Sequence, residues 1–136
     1  MKNGMTPEII DWFSLAERMD NDEAYIKETI DRWFTDHSAT METLSNAVLS
    51  KNADDIYLFA HKLKGSSAIF GMNLLSQAAG ILEVAGMQSD FGKIYKVLIC
   101  VKEEFEKARA YVSQPDWIEL AKQQCETKED YICVKE

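Results

Sequence analysis

The residues best suited to chemistry in this 136-residue chain stand close together, between Tyr57 and Gly71. His61 is followed three positions on by Lys64 and four on by Gly65. A neutral imidazole, with a free pKa near 6.5, is a nucleophile at cytoplasmic pH without special activation. A lysine one helical turn away can offset negative charge on a group that the imidazole accepts. With Leu63 as the centre of a buried helical face, Ile56, Phe59, Ala60, Ser67 and Phe70 fall within about 60° of it. His61 then lies about 160° away and faces outward, Lys64 sits at about 100°, and Gly65 at about 200° is beside the imidazole. Tyr57, Leu58 and Ala68 complete that outer surface, with Lys62 next to the histidine. Glycine inside a helix costs about 1 kcal/mol relative to alanine. Gly65 points away from the core, so access for a partner's reactive atom explains it better than a tight helix crossing does.

Other chemistry is weakly supported. His37 shares an apolar face with Trp33, Phe34 and Met41, which fits a packed or hydrogen-bonded histidine, and no Cys or acid follows at i+3 or i+4 to build a metal site. Ser66 and Ser67 read as packing or helix-facing hydroxyls. The aromatics Trp12, Phe13, Trp33, Phe34 and Phe105 read as core, and Glu103, Glu104 and Glu106 as a solvated face. No G-x-x-x-x-G-K-[ST] loop is present, so the chain is not expected to phosphorylate itself from ATP.

The elements that must position these residues are helical. Gly and Pro number only 6 and 2, too few for a sandwich or barrel that turns every 8–12 residues or so. Thr6-Pro7-Glu8 predicts an N-cap and a short helix to about Met19. From Glu23 to about Ser50 there is no Gly or Pro. Ile26, Ile30, Trp33, Phe34, His37, Met41, Leu44 and Val48 recur there at steps of three and four, which predicts a long amphipathic helix. Asn52 is expected to cap a third helix running to about Phe70 and ended by Gly71, and Asn73 a fourth running through Ala85 and ended by Gly86. Ser89 or Asp90 opens a fifth, with Phe91, Ile94, Val97, Leu98, Val101, Phe105 and Ala108 on one face. Gln114-Pro115 interrupts it before a last segment from Asp116 to about Cys125. The expected fold is an all-α antiparallel four-helix bundle with a short N-terminal helix and a C-terminal helical extension. Its domain spans 1–112, and the extension spans 113–136. Trp117 either folds back on the bundle or marks a second contact surface.

Composition narrows the function. Acids outnumber bases 23 to 15, for a net charge of −8, the opposite of a protein that grips nucleic-acid phosphates. Of the acids, 12 lie in residues 1–55 and 11 in residues 83–136, while the stretch from Ile56 to Leu82 holds only Lys62 and Lys64. Negative charge is therefore kept out of the segment that holds His61. Cys100, Cys125 and Cys133 form no C-x-x-C pair and suit a reducing compartment. With neither a signal peptide nor an apolar run of membrane-spanning length, a cytoplasmic protein without membrane insertion is expected.

The stretch His61-Lys62-Leu63-Lys64-Gly65-Ser66-Ser67-Ala68-Ile69-Phe70-Gly71 resembles the signature of histidine-containing phosphotransfer (HPt) domains, roughly H-x-L-K-G-[SA]-[SA]-x-x-x-G. Leu15-Ala16-Glu17-Arg18-Met19, Trp33-Phe34 and Ile81-Leu82-Glu83 extend the likeness over about residues 8–112. The resemblance implies a four-helix bundle whose exposed His61 carries a phosphoryl group between receiver-domain aspartates in a two-component phosphorelay, with Lys64 offsetting its charge. Tyr57, Leu58, Lys62, Gly65 and Ala68 would meet the partner. The implied partners are receiver domains and a hybrid sensor kinase. The implied chain is a phosphocarrier, not an enzyme, with no cofactor or metal of its own; Mg²⁺ belongs to the receiver pocket. A stand-alone shuttle and a domain excised from a hybrid kinase both fit, and a monomer is the favoured state. The rival readings are a non-catalytic adaptor that binds receivers without accepting phosphate, and a phosphatase-like partner that drains a receiver.

Overall fold

Short polar side chains start most of the helices. In the computed structural model, which describes residues 8–124, the chain forms α1 (Trp12–Arg18), α2 (Glu23–Leu49), α3 (Ala53–Ile69), α4 (Asn73–Met87), α5 (Phe91–Val112) and α6 over 117–124. No strand occurs among the described residues. Asp11, Asp22, Asn52 and Asp90 each accept a hydrogen bond from the backbone N–H three residues on, satisfying a donor that the first turn leaves free.

Two expected starts differ. Thr6 and Pro7 lie outside the described residues, and the first helix opens later, on Asp11. Ile10 is fully buried and the Asp11 N–H donates to the Gly71 carbonyl at 2.8 Å, which ties residues 10 and 11 to the turn between α3 and α4. Asn73 is not a cap. Met72, drawn into the core at 1% exposure, holds the cap position of α4 without a side-chain bond.

The first four helices end alike, with the N–H of the second residue past the cap returning to a carbonyl in the last turn. The bonds are Asn21 to Ala16, Asn52 to Ala47, Met72 to Ser67 and Asp90 to Ala85, at 2.8–3.0 Å. The residue before each donor is left-handed: Asp20, Lys51, Gly71 and Ser89. Gly71 is thus the expected terminator, whereas Gly86 is not. Gly86 lies inside α4, where a Cβ would stand 3.1 Å from the Tyr57 backbone N, so its missing side chain serves the close crossing of α3 and α4.

The bundle places α3 against α4, α4 against α5, and α2 across α3 and α5. Trp33 is at its centre, with ring centroids 4.8 Å from Phe34, 5.8 Å from Phe105 and 6.1 Å from Phe70. Phe13 departs from its expected place in the core and is 56% exposed. The short α1 buries Trp12, Leu15 and Ala16, and Phe13 is turned about 100° from Trp12. The extension folds back as far as it is described. Trp117, Ile118 and Ala121 are buried, Trp117 meets Trp12 edge-on at 6.1 Å, and Lys122 pairs with Glu23. Cys125, Cys133 and the segment 131–134 lie outside the described residues. No described helix is long and apolar enough to cross a membrane.

Candidate functional site

The wheel of α3 holds in three dimensions. Ile56, Ala60, Leu63 and Ser67 are buried, and the His61 side chain on the opposite face is 56% exposed. Gly65 is open, since a Cβ there would meet nothing within 4 Å. Tyr57 stacks one turn before the histidine, with ring centroids 6.0 Å apart and planes at 19°. Tyr57, Leu58 and Lys62 are exposed, while Ala68 is half-buried at the edge of the same face. The Lys62 ammonium lies 5.2 Å above the Phe59 ring. A recess of about 270 Å³, lined by residues including Tyr57, Gly86 and Met87, adjoins this end of the face.

Beneath the histidine is an acid. Glu83 projects from α4 toward α3 and is only 7% exposed. Its Oε2 is 2.7 Å from His61 Nδ1, and its Oε1 is 2.7 Å from Lys64 Nζ. The Ser76 hydroxyl donates to the Lys64 carbonyl at 2.9 Å and ties the two helices together at that level. The hydrogen bond from Lys64 is the largest influence on Glu83 and holds its carboxyl below the ordinary value. Burial pushes the other way, and the hydrogen bond from His61 and the two nearby charges add to the lowering.

That arrangement fixes the imidazole. An ionised carboxylate only accepts, so Nδ1 carries the proton and Nε2 of the neutral ring keeps its lone pair. Among the described residues Nε2 has no hydrogen-bond partner, and the ring is open to solvent on the helix face that Gly65 clears. The site therefore presents one oriented nitrogen nucleophile, a buried anion on its far side, and a cation one turn away.

The model of the Hpt domain family matches residues 28–111, well over half of the chain. The chain belongs to the Hpt domain family. Hpt domains serve as phosphocarriers in two-component signalling and interact with receiver domains. No curated protein and no solved structure matches this chain.

In this Hpt domain the second histidine is structural. His37 stacks on Trp33 at 4.3 Å, its Nδ1 donates to the Trp33 carbonyl at 3.0 Å, and Nε2 lies 3.1 Å from the Ser66 hydroxyl. Ser67 donates to the Leu63 carbonyl at 2.6 Å. Both serine hydroxyls thus face their own helix, as expected, each within hydrogen-bond distance of the Leu63 carbonyl. Among the described residues no group of three or more His, Cys, Asp or Glu could hold a metal.

Glu83 is the residue that sequence reasoning missed; it entered only as part of Ile81-Leu82-Glu83. The acid-free window from Ile56 to Leu82 ends one residue short of it, and folding brings this excluded acid directly under His61. A signal existed. Glu83 falls within the α4 stripe of Leu75, Ala78, Ala79, Leu82 and Gly86, and an acid in such a stripe requires cationic or hydrogen-bonding partners. The sequence places Lys64 toward the phosphoryl group; in the structure its ammonium lies against Glu83 and its side chain is 41% exposed.

Proposed function

We propose that His61 is the phosphoacceptor of this Hpt domain and that Nε2 is its reacting atom. The observation that carries this reading is the 2.7 Å bond between Nδ1 and the buried Glu83 carboxylate, which leaves the lone pair on the solvent side. The Nε2 lone pair attacks the phosphorus of a receiver's aspartyl phosphate. An N–P bond forms, the P–O bond to the aspartate breaks, and the carboxylate leaves with the electron pair. The phosphorylated ring, protonated at Nδ1, is a cation, and Glu83 offsets the charge it gains. The reverse steps deliver the phosphoryl group to a second receiver. Lys64 keeps Glu83 ionised, and its exposed ammonium also lowers the repulsion met by an incoming phosphoryl group. Mg²⁺ belongs to the receiver's acidic pocket.

Tyr57, Leu58, Lys62, Gly65 and Ala68 form the surface on which the receiver docks. Gly65 supplies the clearance, and the basic, apolar character of this strip suits an acidic pocket with an apolar rim. Incubation with a phosphorylated receiver tests the reading. Acid-labile label is expected on the wild-type chain and absent from His61→Gln. Equal labelling of the two would refute phosphotransfer through His61, and receiver binding without label on either would favour an adaptor.

A further inference from the structure

Gly80 lies on α4 three residues before Glu83, half-buried, at a place where packing of the two backbones does not require glycine. A Cβ built there would meet only Lys64, with Cδ at 3.2 Å and Cγ at 3.9 Å. Gly86 differs: its Cβ would press on the Tyr57 backbone. The aliphatic stem of Lys64 thus crosses α4 beside the space that a side chain at position 80 would fill. From there its ammonium reaches Glu83 Oε1 at 2.7 Å, while the carbonyl of the same lysine accepts from Ser76 at 2.9 Å. Lys64 is tied at its backbone and at its charge, and its stem passes beside Gly80. Among the described residues, the Lys64 stem is what lies against the open face of Gly80.

We propose that Gly80 is a positioning residue: the absence of its side chain seats Lys64 across α4, so that the ammonium is held on Glu83 and the carboxylate in turn holds His61 with Nδ1–H inward. The proposal deepens the reading of His61 as phosphoacceptor and rests on it for its consequence in transfer, although the seating itself is measurable without any phosphoryl group.

The test uses Gly80→Ala and Gly80→Val, each alone and combined with Lys64→Met. Circular dichroism and a thermal melt establish folding, and NMR follows the Glu83 carboxyl through its titration together with the ring nitrogens of His61. Alanine asks the Lys64 stem to yield by only a few tenths of an ångström, so its effect is expected to be small, with a thermal midpoint at or above wild type. Valine closes the groove. The Glu83 midpoint is then expected to move up toward the ordinary carboxylate range, and the His61 ring nitrogens to lose the signature of a single tautomer. In the Lys64→Met background valine should move neither reading further. A Glu83 midpoint unchanged by Gly80→Val, or shifted equally with and without Lys64, would overturn the proposal. If the shifts occur as expected but wild type takes no label from any receiver, the seating of Lys64 stands and the phosphoacceptor reading fails.

Discussion

Glu83→Gln keeps the shape of the buried side chain and removes its charge. The bond it alters, His61 Nδ1 to Glu83, is 2.7 Å long and ends on a carboxylate that is 7% exposed. Hydrogen bonds to a charged group contribute about 1.5–3 kcal/mol, against about 1 kcal/mol for neutral pairs. The imidazole is 56% exposed, so water replaces part of what is lost, and the lower end of the range applies, about 1.5–2 kcal/mol. The ring becomes cationic only as the N–P bond forms. The resting bond is weakened too, so only the part that strengthens as the ring gains charge slows transfer, by up to about 10- to 30-fold. Stability should change by less than about 1 kcal/mol, because the Lys64 and His61 side chains both reach solvent when their anion is removed. Rapid-quench transfer from a phosphorylated receiver measures the rate, and a thermal melt measures the fold. Transfer by Glu83→Gln within twofold of wild type, in a folded protein, would refute the role given to the carboxylate.

Acid should act through the same residue. The native Glu83 carboxyl binds its proton below its ordinary value of 4.5, so the unfolded chain takes up that proton first as the pH falls. Its stabilising contribution is full above that value and is lost as the pH falls through the native one. Denaturant unfolding between about pH 7 and pH 3 should therefore show wild type losing more stability than Glu83→Gln; parallel curves would contradict this. At Gly65 a side chain meets open space, so Gly65→Leu should keep or raise the thermal midpoint while transfer falls at least about tenfold through blocked approach. Unimpaired transfer there would show that the receiver does not approach over this residue. At Gly71, where φ is +72° and a Cβ would stand 2.8 Å from the Asp11 carbonyl oxygen, alanine should destabilise by about 2–3 kcal/mol in denaturant unfolding; a loss below about 0.5 kcal/mol would contradict that geometry.

Much of this molecule was legible because its signals are local. The stripe from Ile26 to Val48 and the outward placement of His61 follow from a period of 3.6 residues alone, and Gly71 was found because only its neighbourhood sets its conformation. What was misjudged depends on tertiary contact. Asn73 has the chemistry of a cap, but burial of Met72 sets the register of α4. Gly86 has the chemistry of a terminator, but the crossing of α3 over α4 uses it, and Ser89 takes the left-handed turn instead. Phe13 is apolar, yet a seven-residue helix buries one narrow face. Glu83 is the most consequential case. Its partners stand 19 and 22 residues away along the chain, on another helix, so linear spacing could place His61 and Lys64 together but not the acid between them. A separation of 16 residues likewise hid the relation of Gly80 to Lys64.

The most direct test of the account is the position of the phosphoryl group itself. Nitrogen-labelled protein, phosphorylated by a receiver and held at neutral pH, shows by phosphorus–nitrogen coupling which atom carries the phosphorus. Coupling to Nε2 of His61 is expected, with the proton retained on Nδ1. Phosphorus on Nδ1, or on any residue other than His61, would contradict it.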